Sequence, residues 1–468
     1  MMSLKHICSG GRISTIQGLK NMEAMLLSKR GVSLLLVVLV AVASLGGISS
    51  LQTLHAHANA AHPAESNGLA LTPFMGWSTW DYLENPTEAS VEAQAKVEAS
   101  KLKAYGFTYV LIDDGWYINP STTVDQYGRW AINSSRFPHG LSAVASYVHS
   151  LGLKFGAYLT PGIPVAAVNT NTPIQGTSYH ARDIANTGVH EPNYSYGSSV
   201  MYGINYSKPG AQAYVNSWAN QLASWGVDFL KMDGVGDHDI SDIQAWSAAL
   251  KQSGRSIVFD LSNQLNVKNA SIWRQYSNAW RIGKDDECYC KTQTNWAHVV
   301  RVFGEPAPWA QYAGPGGWND LDSLQISNGP MDGLTNDERQ TMMGFWAIEA
   351  APLYLGDDLT RLDSFGLSLL TNKEVIAVDQ AGRAASPVSQ ATSQQIWFMK
   401  NSNGSYTVGL FNLGSTTATV KVNWSNLGFS GSAMVHDLWN HSNLGSFSGS
   451  FSVTLNTHAS RLLTVTHG

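Results

Sequence analysis

One recurring unit constrains this chain more than any other feature. A short apolar run ends on a carboxylate, and an amphipathic stretch of helical period leads into the run. Thr108-Tyr-Val-Leu-Ile112 passes straight into Asp113-Asp114-Gly115-Trp116, and Val227-Asp-Phe-Leu-Lys-Met232 ends at Asp233. Ahead of the first, Thr87 and Glu88 open a stretch whose Val91, Ala95, Ala99 and Leu102 share one helical face, and Gly106 closes it. Ahead of the second, Val215, Trp218, Leu222 and Trp225 repeat the pattern up to Gly226. Strands that alternate with helices run parallel, because the crossover helix returns the chain to the same end of the sheet.

Further strands are predicted at residues 74–79, 154–160, 256–262, 278–282 and 352–355, with a weaker apolar run at 309–312. Units of this kind through residues 69–385 fit an α/β fold of the (β/α)8 TIM-barrel type better than a doubly wound sheet. In a barrel the residues at the strands' C-terminal ends converge on one mouth. From residue 386 the texture changes to short alternating runs rich in Ser, Thr, Asn and Gly, such as Tyr406-Thr-Val-Gly-Leu-Phe411. Residues 386–468 are therefore expected to form a C-terminal antiparallel β-sandwich. A chain of 468 residues has room for both, since single cores stop growing at about 250–300 residues.

The N-terminal residues read differently. Residues 1–30 are polar and basic, residues 32–42 are almost continuously apolar, and Ala56-His57-Ala58-Asn59-Ala60 supplies an A-x-A site. That order is the n-region, h-region and cleavage site of a secretory signal. Residues 1–60 are accordingly expected to be a signal peptide or a membrane-anchoring leader, and 61–68 a linker. The expected location is secreted or extracytoplasmic, with a membrane contact only if the leader is uncleaved. The long n-region fits initiation at Met22 or Met25.

Only 13% of residues are charged and the net charge is −5, so no polybasic nucleic-acid surface is in view. Sixteen Trp and 18 Tyr could fill a large core or line a sugar cleft, whose walls need flat apolar faces beside polar tips. Cys288-Tyr289-Cys290 allows a local bridge or two free thiols, and lacks the further ligands of a zinc site. Asp237-His238-Asp239 reads as a solvated helix start rather than a metal site. No G-x-S-x-G elbow, Walker loop, H-E-x-x-H or dinucleotide fingerprint is present.

Polar residues at strand ends include Trp80, Asp113, Asp114, Lys231, Asp233, Ser262, Arg281, Asp285, Asp320 and Asp322. Any single Asp there could be the N-cap of the next helix. Several at one mouth, with a Lys and an Arg, make either a solvated rim or a site in which each charge has a task. Glycoside hydrolysis needs two carboxyl groups flanking the scissile bond, which two facing strand ends can supply. That chemistry requires no metal and no organic cofactor.

Five ordered segments resemble the melibiase-type α-galactosidase family, glycoside hydrolase family 27, over nearly the whole chain after the leader. They are Thr72-Pro-Phe-Met-Gly-Trp-Ser-Thr-Trp80, Ile112-Asp-Asp-Gly-Trp116, Trp225-Gly-Val-Asp-Phe-Leu-Lys-Met-Asp-Gly234, Trp280-Arg281 with Asp285, and Gly314-Pro-Gly-Gly-Trp-Asn-Asp-Leu-Asp322. The resemblance implies a barrel followed by a β-sandwich, with Asp233 as nucleophile and Asp285 as general acid/base. It implies a retaining hydrolysis of terminal α-linked galactose from oligosaccharides, polysaccharides or glycoconjugates. Trp80, Asp113, Asp114, Tyr158, Lys231, Arg281 and Asp322 would bind the sugar, with Lys231 helping to hold Asp233 ionised. Ser262 stands where a galactosidase carries a larger residue facing the 2-position, and a small residue there resembles α-N-acetylgalactosaminidases. β-L-arabinopyranosidase and an isomaltose-releasing dextranase are further activities of the family. The Asp113-Asp114 pair speaks against the first, whose sugar has no 6-hydroxyl. A catalytically inactive carbohydrate-binding protein that keeps the cleft is a further alternative, against which the retention of both Asp233 and Asp285 speaks. Many relatives also carry a cysteine soon after the nucleophile, where Val235 stands here.

Overall fold

Eight short strands make one parallel sheet: β1 Met75–Ser78, β2 Tyr109–Ile112, β3 Lys154–Leu159, β4 Phe229–Met232, β5 Val258–Leu261, β6 Ala279–Arg281, β7 Trp318–Asp320 and β8 Leu353–Leu355. The computed structural model describes residues 64–468, so the expected leader and residues 61–63 lie outside the described residues. The strand order is β7-β6-β5-β4-β3-β2-β1-β8. Leu324, just past β7, bridges in parallel to Leu355 of β8 and joins the two ends of the curled sheet. Around it lie α1 Glu88–Val97, α2 Leu141–Ser150, α3 Ala211–Trp225, α4 Ile240–Gln252, α5 Ala270–Tyr276, α6 Trp296–Val302 and α7 Asn336–Ile348.

The strands repeat one pattern because side chains alternate across a sheet. Phe74, Leu111, Phe229, Val258, Ala279 and Tyr354 pack together as an apolar floor inside the barrel, with the Phe74 and Phe229 rings edge to face at 4.8 Å. The intervening Val110, Ile112, Leu230, Met232, Phe259, Leu261 and Trp280 join the core beneath the helices. Two residues above the floor, inward positions become Asp113, Lys231, Asp260 and Arg281, and the next step along β4 is Asp233. Gly76 lets β1 approach β2, since a Cβ there would lie 2.1 Å from the Tyr109 carbonyl oxygen.

Expected and observed elements differ in three places. The seventh strand is Trp318–Asp320 rather than 309–312, where Trp309 is buried within turns. The Trp309 N–H donates to the Pro306 carbonyl and the Tyr312 N–H to the Trp309 carbonyl, so the run spends these donors on turns rather than on a ladder. Residues 64–68 are not a free linker. Glu65 is buried and accepts from Ser247 Oγ and Lys251 Nζ, both at 2.5 Å, and Asn67 pairs with Asn278 at the start of β6. Finally, α1 continues beyond Val97 as a π turn, Glu98–Leu102. The long connection after β3 carries its own three-stranded antiparallel sheet of Ile163–Pro164, Met201–Ile204 and Ala185–Glu191.

The C-terminal part is the expected antiparallel domain. It comprises β9 Ser386–Ser389, β10 Gln394–Lys400, β11 Tyr406–Asn412, β12 Ala418–Asn423, β13 Ser432–Asp437, β14 Ser442–Ser448, β15 Ser450–Leu455 and β16 Ser460–His467. Six strands form one sheet in the order β9-β10-β11-β16-β13-β14, and β12 pairs with β15. Val408, Leu410, Val420, Val422 and Trp424 fill the core between the sheets. Alternate residues of the same strands, Trp397, Met399 and Phe411, face the barrel instead. There the Phe345 ring of α7 stacks on Phe303 at 3.7 Å and meets Trp397 and Phe411 edge-on.

Candidate active site

The C-terminal ends of the barrel strands surround a polar cavity of about 170 Å³, with nine of the ten sequence-predicted site residues on its wall: Trp80, Asp113, Asp114, Tyr158, Lys231, Asp233, Arg281, Asp285 and Asp322. They converge because each stands on an inward position at or just beyond a strand end, which is where barrel geometry directs them.

Asp233 follows β4 and is half-buried. Its Oδ1 accepts from the Gly234 backbone N–H at 2.8 Å and its Oδ2 from the Tyr158 hydroxyl at 3.2 Å. Lys231 was expected to serve Asp233, but its ammonium pairs directly with Asp113 at 2.8 Å. The reason is alternation: Lys231 lies one layer deeper than Asp233, at the level that Asp113 reaches from β2. Burial works against the Lys231 charge, yet Asp113 and then Asp233 outweigh it and hold the ammonium above its ordinary value. Lys231 thus supports Asp233 through space.

Asp285 stands on the loop after β6, with 45% of its side chain exposed. Arg281 donates to its Oδ1 at 2.9 Å and the Tyr289 hydroxyl to its Oδ2 at 2.8 Å. Arg281 also forms an ion pair with Asp322 and donates to Ser262 Oγ at 2.9 Å. Burial opposes the Asp322 charge, but Arg281 and then Lys231 hold that carboxyl below the usual range. Asp322 accepts further from the Asp286 N–H and the Tyr354 hydroxyl.

Asp113 accepts from Lys231, from the Asp114 N–H and from Ser78 Oγ. Burial pushes the Asp114 carboxyl up to about 6, although hydrogen bonds from Tyr117 and Ser195 pull the other way. Ser262 is the tenth expected site residue and it does not line the cavity. It is fully buried with its hydroxyl taken by Arg281, and the neighbouring Asn263, at φ +109°, faces the cavity instead. Asp237-His238-Asp239 is a short helical turn ahead of α4, but it is not the solvated start expected, since Asp239 is buried against the buried Glu191. His238 lies 3.3 Å from Glu191 and 3.4 Å from Asp239. Cys288 and Cys290 are joined by a disulfide, which resolves the two alternatives.

Sequence reasoning missed Asp81, Tyr194, Glu287, Tyr289 and Tyr354 on the same wall. Asp81 accepts from Ser323 Oγ and Gln325 Nε2, each at 2.5 Å. Burial and then the Asp322 charge raise it to about 6. Gly356 makes room for it, since a Cβ there would meet the Asp81 carboxylate at 1.9 Å. Burial, followed by Asp81 and Asp322, raises Glu287 to about 9. Tyr194 comes from the long connection after β3. Trp80 on the same wall was legible beside a strand, but a residue of a long irregular connection carries no period to read.

A barrel of this topology with paired carboxylates at its mouth and a docked sandwich defines a glycoside hydrolase architecture. The family model described as alpha galactosidase A matches residues 72–191 and 175–381, and that of the alpha galactosidase C-terminal beta sandwich domain matches residues 391–465. Alpha-galactosidase 2 of Arabidopsis thaliana is 32% identical over 86% of this chain and 91% of its own. Among solved structures, a GH27 β-L-arabinopyranosidase from Geobacillus stearothermophilus shares 34% identity at a TM-score of 0.78, covering 85% of this chain and 97% of its own. Alpha-galactosidase I from Mortierella vinacea shares 27% identity at a TM-score of 0.70, over 86% of this chain and 98% of its own. The chain belongs to the melibiase-type α-galactosidase family, glycoside hydrolase family 27.

Proposed function

We propose that the protein is a retaining α-galactosidase that removes terminal α-linked galactose from saccharides or glycoconjugates. The observation that carries this reading is the unequal setting of two carboxyl groups on one cavity. Asp233 accepts from a backbone N–H and a phenol above a buried ammonium, whereas Asp285 stands at the rim beside Arg281 and Tyr289. The first suits a nucleophile that must stay ionised, and the second a group that exchanges protons with a leaving oxygen and then with water.

In the first step an Asp233 oxygen bonds to the anomeric carbon as the glycosidic bond breaks, and Asp285 gives its proton to the departing oxygen. In the second, Asp285 takes a proton from water, whose oxygen displaces Asp233 and restores the original anomer. Asp113 and Asp114 would accept from the 4- and 6-hydroxyls, Trp80 would back the ring, and Lys231, Arg281 and Asp322 would meet the remaining hydroxyls. A site of buried partners rejects sugars that leave those partners unpaired. Residues 1–60 would direct export as a cleaved signal.

Similarity to the Geobacillus arabinopyranosidase supports a second reading, since β-L-arabinopyranose is α-D-galactopyranose without its C6 group. Initial rates on nitrophenyl α-D-galactopyranoside, β-L-arabinopyranoside and α-N-acetylgalactosaminide test both. The galactoside should be fastest; a faster pentoside would show that Asp114 does not read the 6-hydroxyl. Preference for the acetamido sugar would shift the specificity role from Ser262 to the cavity-facing Asn263.

A further inference from the structure

Tyr289 sits directly against the outer oxygen of Asp285. Its hydroxyl donates to Asp285 Oδ2 at 2.8 Å and accepts from Trp80 Nε1 at 3.4 Å, so it spans the mouth from one side to the other. Arg281 engages Oδ1 of the same carboxyl. Arg281 and Tyr289 thus hold one oxygen each of the acid, and a leaving oxygen that takes its proton must come within hydrogen-bond reach of that carboxyl. Whatever is attached to the leaving oxygen must therefore pass beside the Tyr289 ring.

Two features hold that ring where it is. The Cys288–Cys290 disulfide closes around Tyr289 alone, and the backbone of Tyr289 is left-handed at φ +47°, a region that bulky L-residues avoid unless their neighbours impose it. Tyr289 is nevertheless 60% exposed at the rim of a polar cavity. An aromatic face fixed in that way beside water is a stacking surface for a sugar ring. No step of the proposed hydrolysis uses the disulfide or this tyrosine.

We propose that Tyr289, clamped by the Cys288–Cys290 disulfide opposite Trp80, forms the leaving-group subsite and takes the second sugar ring of an α-galactosyl oligosaccharide. The assignment rests on Asp285 as the acid. Dithiothreitol should weaken the subsite, because it reduces the disulfide to two thiols while becoming a cyclic disulfide itself, and Tyr289 is then free to leave its left-handed conformation.

The test compares kcat and KM on an α-1,6-linked galactosyl disaccharide with those on α-galactosyl fluoride, whose leaving group has no ring and needs no proton. Tyr289→Ala should lower kcat/KM on the disaccharide about tenfold more than on the fluoride, chiefly through KM. Tyr289→Phe keeps the ring and should restore most of the difference. Cys288→Ser/Cys290→Ser, and wild-type enzyme treated with dithiothreitol, should shift the ratio the same way. Equal losses on the two substrates, or none on either, would overturn the subsite. A wild-type enzyme inert towards the fluoride would instead overturn the α-galactosidase reading beneath it.

Discussion

Asp233 and Asp285 are separated by what surrounds them more than by what they are. Asp233→Asn keeps both hydrogen-bond partners in reach and removes the nucleophile, so turnover should fall by about 10³-fold or more with the melting temperature unchanged. Full activity in that variant would strip Asp233 of its role. Asp285→Ala should spare substrates whose leaving groups need no proton, such as α-galactosyl fluoride, and slow an alkyl galactoside by about 10²–10⁴-fold. Loss of equal size on both would remove Asp285 as the acid. Burial raises Asp114 to about 6, so as pH falls below that value it gains a proton and becomes a weaker acceptor for a sugar hydroxyl. KM should therefore rise as pH falls through 6, and Asp114→Asn should flatten that rise in a pH series of KM. At this scale the strand-end residues were legible, because a charge two residues past an apolar inward position has to point into the barrel. Tyr289 and Glu287 were not, because they stand on a loop whose path the disulfide determines and periodicity does not.

Elements explain why Ser262 serves Arg281 rather than the sugar. β5 alternates Val258, Asp260 and Ser262 inward, and Ser262 meets the guanidinium that also engages Asp285 and Asp322. Ser262→Ala removes one acceptor from a buried Arg281, and leaving such a donor short costs about 1–3 kcal/mol. The expected result is a several-fold lower kcat and a lower melting temperature, with the ratio of galactoside to acetamido-galactoside rates unmoved. A switch in that ratio would return Ser262 to the sugar. Helix faces and strand runs were legible wherever an amphipathic stretch ended at glycine, as α3 does at Gly226, whose φ is +87°. β7 was not, since Trp318–Asp320 follows Gly314-Pro-Gly-Gly and is too short to show alternation.

The whole molecule joins its two domains through a continuous apolar seam. Phe345 stacks on Phe303 and meets the sandwich residues Trp397 and Phe411 edge-on, while Thr341 donates to the His458 carbonyl at 2.7 Å. Trp397, Met399 and Phe411 are apolar on the barrel-facing side for this reason, and the change of texture at residue 386 did not reveal the seam. Phe345→Ala should cost about 3–5 kcal/mol, and calorimetry of the wild type should give one transition for barrel and sandwich together. Buried carboxyls also tie stability to pH. Asp81, Asp114 and Asp320 are raised to about 6 and Glu287 to about 9. The native state then holds more protons than the unfolded chain between pH 4 and 9, so stability should decline as pH rises across that window. A melting temperature that climbs from pH 5 to pH 9 would contradict the burial of these groups. The most direct test of the double displacement is proton NMR of the sugar released from a nitrophenyl α-galactoside in the first minutes of reaction. α-Galactose should appear first and the β-anomer only by later mutarotation; β-galactose first would mean a single inversion, and Asp233 would not be a nucleophile.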